Sequence, residues 1–385
     1  MTIQLLASLR DLQHRESEKR SYFGIPELDA LLPLPLPPPA AAALPQTQHQ
    51  QPPLNPPSDD LWDPNSNPTP ALALGIPAKI ITSPAQKTLA NITTRSPHPF
   101  PILEFISPPP NHTPSGSGKT SLIYLISALA ILPSTFSSVA LGGCNAAVVI
   151  LDPLAHFNVR RLAEVCVCLV LSKIGDKGRL EIDLKEKIKE TVRVALVHVH
   201  IFRPTSWIDM VEVLKQMQEY IFDGARHQSM KRRIHSIVLE DVDAFYWDIR
   251  STSVSTTDAS TLPSPLAAAS TTLTKAVLSL STSLSAAILL TSHSGTSNPK
   301  TFRAPIPLST SWPAHVSIVR LAIRRVDVLR YAPGISVEEA DGERGQRWEV
   351  VKRGRFECWK VVGAGGKEND GGGFVFTVKD GVDVE

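Results

Sequence analysis

The run Gly116-Ser117-Gly118-Lys119-Thr120 constrains the fold of this chain more than any other feature. A Gly-rich turn that opens a helix presents backbone N–H groups with no helical partner, and the helix dipole adds to their attraction for an anion. Such a turn is framed by a strand before it and an apolar helix after it. Both are present: Ile102-Leu103-Glu104-Phe105-Ile106 reads as a buried strand, and residues 121–132 as a buried helix. Further on, apolar runs keep alternating in kind. Strands are expected at 146–151, 194–201, 234–239 and 286–291, helices at 159–171, 207–222 and 266–284, with a polar, charged stretch over 173–189. This alternation implies an α/β domain with a mostly parallel central sheet. Beyond residue 316 the pattern becomes a succession of strands, at 316–323, 348–351, 356–362 and 374–378, expected to add antiparallel strands to the parallel core.

In such a loop Lys119 is expected to reach the β- and γ-phosphates of a nucleotide and the Thr120 hydroxyl to hold Mg²⁺. The expected nucleotide-binding set is Ser115, Gly116, Ser117, Gly118, Lys119, Thr120 and Ser121. The full spacing G-x-x-x-x-G-K-[ST] is broken at its first position, where Thr113 stands, and Pro108-Pro109-Pro110-Asn111 lengthens the connection from the strand. A metal-dependent phosphate site also needs a carboxylate at the end of a neighbouring buried strand. Ser236-Ile237-Val238-Leu239-Glu240-Asp241 supplies one. Successive strand residues point to opposite sides, so Glu240 and Asp241 are both candidate metal ligands at this stage. ATP and Mg²⁺ are the implied cofactors.

The rest of the chain sets limits. Residues 33–97 are rich in proline, alanine, glutamine and asparagine, with little to bury, and are expected to be a disordered insertion. The expected division is therefore a helical lead-in over 1–32, the insertion over 33–97, and a nucleotide-binding core over 98–385. Within the lead-in an amphipathic helix is expected over 2–20. Lys plus Arg number 39 against 37 Asp plus Glu, far from the basic excess of a protein that coats nucleic acid. The four cysteines are scattered and read as buried thiols. The start lacks the basic and apolar regions of a secretory signal, and no apolar run approaches the roughly 20 residues that span a bilayer, so a soluble intracellular protein is expected.

With these residues in place the chain resembles the eukaryotic RecA-like recombinase paralogue family. The resemblance lies in 23–32, 102–133, 148–162 and 235–247, more weakly in 312–384, and its specific runs are ILEF…GSGKT, ILDPLAHFNVRRL and DAFYW. It implies a RecA-like P-loop NTPase core, work in homologous-recombination repair of DNA double-strand breaks, assembly with other recombinase paralogues, single-stranded or branched DNA reached through that complex, and a nuclear location. It also implies which parts are altered. Leu154 stands where the family has a glutamate that polarises water, and His293 where it has a glutamine that senses the γ-phosphate. Asp152 is the one substitute base nearby. ATP binding with weak or no hydrolysis follows, since a general base contributes about 10²–10⁴-fold. DNA-facing loops are implied at 248–264 and 294–312, with Lys300 and Arg303 in the second, while Phe245-Tyr246-Trp247 is read as packing beneath the first. The basic clusters Lys231-Arg232-Arg233 and Arg324-Arg325 are read as solvated edges. Two rivals remain: an adaptor that binds no nucleotide, and a P-loop phosphotransferase, for which no arginine-bearing lid is visible.

Overall fold

The computed structural model describes residues 22–33, 100–107, 116–175, 181–251, 263–295, 303–326, 331–361 and 372–385. The expected helix over 2–20, nearly all of 33–97, Thr113, Ser115 and Lys300 lie outside the described residues.

After a one-turn helix α1 (Pro26–Asp29), strand β1 (Ile102–Ser107) leads through the Gly-rich loop into α2 (Lys119–Ile131). A small hairpin, β2 (Thr135–Phe136) and β3 (Val139–Ala140), precedes β4 (Ala147–Leu151), α3 (Val159–Ile174) and α4 (Ile182–Leu196). There follow β5 (Val199–Phe202), α5 (Trp207–Phe222), β6 (Ile234–Leu239), α6 (Tyr246–Ser251), α7 (Pro265–Leu284), β7 (Ala287–His293) and β8 (Ile318–Arg325). The chain closes with α8 (Val337–Lys352), β9 (Arg355–Lys360), β10 (Gly373–Val378) and β11 (Val382–Val384).

Nine strands form one sheet in the order β11-β10-β9-β8-β1-β7-β6-β4-β5. All neighbours from β8 to β5 run parallel, and β8 to β11 pair antiparallel. The fold is therefore α/β, with a large, mostly parallel sheet and antiparallel C-terminal strands. Strands β1, β4 and β6 are buried along their whole length because helices cover both faces, which is why apolar residues dominate them, with Glu104, Ser107, His235 and Ser236 as buried polar exceptions. On one face α2, α3 and α4 pack over Leu103, Phe105, Val148 and Ile150, while on the other α5 and α7 pack over Ile102, Val149, Ile237 and Ile288. Helix α2 is buried on nearly all sides, so it carries no polar stripe.

Four expectations need correction. Residues 194–196 end helix α4 instead of opening a strand: Ile188, Val192 and Ala195 sit on one helical face and are buried, and this spacing outweighs the local Val-Ala-Leu-Val run. Residues 348–351 belong to α8, whose start is fixed by a capping box between Ser336 and Glu339, although the helix buries no residue. Of the aromatic run only Phe245 is core; Trp247 is 70% exposed, with the Arg250 guanidinium 5.4 Å from its ring centroid. Arg232, read as a solvated edge, donates to the Ile131 and Ala146 carbonyls at 3.0 and 3.3 Å. No helix among the described residues is long and apolar enough to cross a membrane.

Candidate functional site

The register of the parallel strands brings several polar groups to one end of the sheet. Ser107 lies beside His293, and Leu239 is level with both Leu151 and Leu290, so Asp152, Glu240 and Thr291 follow at the next level. Crevices at the carboxyl ends of parallel strands are where open α/β sheets bind ligands.

Here lies a cleft of about 300 Å³. Residues 116–121 form one side, and His156, Asp241, His293 and Phe356 close it. Gly118 is the N-cap of α2 at φ +92°, a left-handed conformation that favours glycine. A Cβ there would come 2.6 Å from the Phe356 ring, so β9 also leans on the loop. No side chain caps this helix and no acid occupies its first turn, leaving an N-terminus suited to an anion. These residues fit a nucleotide phosphate group, with Thr120 and Asp241 fitting its Mg²⁺.

Lys119 is buried, and its ammonium donates to Ser107 Oγ and to the Ser292 carbonyl, both at 2.9 Å. Burial lowers its pKa, against the pull of the Asp241, Asp243 and Glu240 carboxylates. The lysine thus rests across the ends of β1 and β7, anchored by neutral oxygens.

The choice between Glu240 and Asp241 is decided by geometry. Asp241 lines the cleft, held at φ +44° with its N–H donating to Thr291 Oγ1 at 2.8 Å. Glu240 is buried and accepts from that same Thr291 hydroxyl at 2.8 Å, while its Oε1 finds no partner among the described residues. Burial pushes its carboxyl up to about 7, partly offset by the Thr291 hydrogen bond.

Neither hydrolytic candidate from the following turn reaches the chemistry. Leu154 is 47% exposed and is not among the cleft's walls. Asp152 is fully buried, and its two oxygens accept from the backbone N–H groups of His156 and Phe157, both at 2.9 Å. It shapes a turn and is not among the cleft's walls, which counts against its reading as a substitute base. The cleft residue of that turn is His156, whose Nδ1 lies 2.7 Å from Asp241 Oδ2.

His293 ends β7 at the cleft, its backbone N–H donating to Asp243 Oδ2 at 3.1 Å. Arg303 is exposed, and its carbonyl accepts from Gly295 N–H at 3.0 Å. Sequence reasoning missed His156, Asp243, Thr291 and Phe356. Asp243 and His156 had a faint signal, lying two and four residues past Asp241 and Asp152; Phe356, on a distant antiparallel strand, had none. A larger cleft of about 410 Å³ lies beside β8, β9 and β10, but its Arg324 is already paired with Glu357 at 3.0 Å and stacked on Trp359, and nothing there resembles a reaction centre.

No protein-family model matches this chain, and neither does any curated protein.

Proposed function

We propose that this protein is a RecA-like P-loop protein that holds ATP and Mg²⁺ with weak or no hydrolysis. On the resemblance of its motifs, it acts as an accessory recombinase paralogue in homologous-recombination repair in the nucleus, within a complex that assists the recombinase filament on single-stranded DNA. One observation carries the nucleotide half of this reading. Across a single cleft an intact Gly118-Lys119-Thr120 helix start faces Asp241, while Asp152 is buried under backbone N–H groups and neither it nor Leu154 lines the cleft. The loop and Asp241 support binding of phosphate and metal, and neither position read as a base lines the cleft, which supports weak hydrolysis. The nucleotide then serves as a ligand that stabilises one conformation or interface.

Equilibrium binding of a fluorescent ATP analogue tests this. Saturable binding is expected in the wild type, and about 10–100-fold weaker binding in Lys119→Ala, which loses a charged hydrogen-bond donor. No saturable binding would favour the nucleotide-independent adaptor. Robust ATP turnover stimulated by single-stranded DNA would overturn the loss of hydrolysis, and failure to co-purify with any recombinase paralogue would count against the repair role.

A further inference from the structure

On the reading that the cleft holds ATP with Mg²⁺, we propose that Thr291 is a positioning residue for its metal side: the buried hydroxyl sets the turn from which Asp241 reaches the cleft, and with it the Mg²⁺-dependence of nucleotide binding. Three hydrogen bonds tie that turn to Thr291. The hydroxyl accepts from the Asp241 N–H and donates to Glu240 Oε2, both at 2.8 Å, and the Thr291 carbonyl accepts from the Val242 N–H at 2.9 Å. Glu240, Asp241 and Val242 are thus each held by one residue of β7.

Packing alone does not call for a hydroxyl here. Thr291 is fully buried and follows the apolar run Ile288-Leu289-Leu290, a strand position that valine would fill with the same branched shape. Valine lacks a group that both donates and accepts. In its place the Asp241 N–H would lose its acceptor, and Glu240 would lose the one side-chain donor it has among the described residues. Asp241 keeps a left-handed backbone at φ +44°, which a residue with a side chain holds only where its surroundings over-determine it. Thr291 fixes the backbone of Asp241 from the strand, while His156 Nδ1, 2.7 Å from Oδ2, acts on the carboxylate. The strained residue lines the cleft together with Thr120.

The same strand end also holds the phosphate side. The carbonyl of Ser292, the next residue, accepts from the Lys119 ammonium at 2.9 Å. Adjacent residues of β7 therefore set the lysine and the acid separately. Removing the Thr291 hydroxyl while Ser292 stays in register should part metal binding from phosphate binding.

The test titrates the full-length protein with the fluorescent ATP analogue, once with excess Mg²⁺ and once with EDTA. The wild type is expected to bind more tightly with Mg²⁺. Thr291→Val should lose about 10–100-fold of affinity with Mg²⁺ and less than about threefold with EDTA. Thr291→Ser, which keeps a hydroxyl, should recover most of the Mg²⁺-dependent part, and Thr291→Cys, a weaker donor, should fall between. In an Asp241→Asn background Thr291→Val should cost no further Mg²⁺-dependent affinity, because the group it positions is already gone. Circular dichroism checks folding, and Thr291→Cys carries the comparison if the valine variant does not fold. A purely structural threonine would weaken both conditions alike, and that result overturns the proposal, as does a serine variant that restores nothing. A Mg²⁺ advantage that survives Thr291→Val removes the role of Thr291 alone. No saturable binding by the wild type in either condition removes the nucleotide reading and this role with it.

Discussion

The two ends of the central sheet both bury titratable groups, and they treat them in opposite ways. At the amino end of β6, His235 is fully buried, packed against Tyr22 and Phe23, with Nε2 3.2 Å from the Tyr22 carbonyl oxygen. Its pKa falls to about 4, chiefly through burial, and the ring is a neutral piece of core. At the carboxyl end Lys119, Glu240 and Asp241 are also buried, yet carboxylate oxygens of Glu240 and Asp243 lack partners among the described residues. The first end spends polar groups on holding the lead-in segment to the sheet. The second leaves them unsatisfied, a cost to stability that a ligand would offset.

That contrast can be broken by experiment, most strongly at His235. His235→Ala removes a buried ring and its hydrogen bond and is expected to cost about 3 kcal/mol in urea unfolding. Asp241→Asn should cost less than about 1 kcal/mol; equal costs would erase the distinction between the ends. The depressed pKa of His235 means that its contribution is whole above about pH 6.5 and is lost as pH falls through about 4. The acid-side slope of stability should accordingly flatten in His235→Gln.

Glu240 has the opposite sign. With its folded pKa raised, its favourable contribution is complete below the ordinary carboxylate value near 4.5 and is lost as pH rises through about 7. Glu240→Gln should therefore gain on the wild type across that window, by roughly 3–3.5 kcal/mol at most above pH 7. A melting-temperature difference between the two that stays flat with pH would sink this account. Gly118→Ala combines a left-handed backbone with a contact against Phe356 and should cost about 1–2 kcal/mol. Phe356→Ala itself empties a buried ring site at about 3–5 kcal/mol, so the test is a double-variant cycle: Gly118→Ala should cost less in the Phe356→Ala background than in the wild type.

The smallest effect is expected where sequence matching would predict the largest. Leu154→Glu installs the glutamate of the family that the chain resembles, but the position lies outside the cleft. ATP turnover should rise less than about tenfold, against the 10²–10⁴-fold of a placed base.

Much of the core was legible because β4 is an unbroken apolar run, β1 and β6 are largely apolar, and α2 is largely apolar beyond its first turn, patterns with few other uses. Helix α4 was obscured by β-branched residues at its end, where the buried spacing of Ile188, Val192 and Ala195 had to outweigh a short local run. The surface helix α8 hid the reading of 348–351 because it has no buried face, and only the Ser336–Glu339 cap marks its start. In the site, Lys119, Thr120 and Asp241 were legible from motif spacing. The others depend on how strands align: Thr291 meets Glu240 and Asp241 only through the β6–β7 register, and Phe356 reaches Gly118 only once β9 has folded back beside β8.

The contact of Phe356 with Gly118 has a consequence for shortened forms of the protein. A transcript ending after β8 would encode the entire glycine-rich loop, its lysine and Asp241, and would pass any inspection for an intact motif. It would nonetheless lack the aromatic wall that Phe356 sets against the start of α2. Such a product should melt earlier and grip phosphate loosely, a defect whose origin lies more than two hundred residues downstream of the loop it impairs.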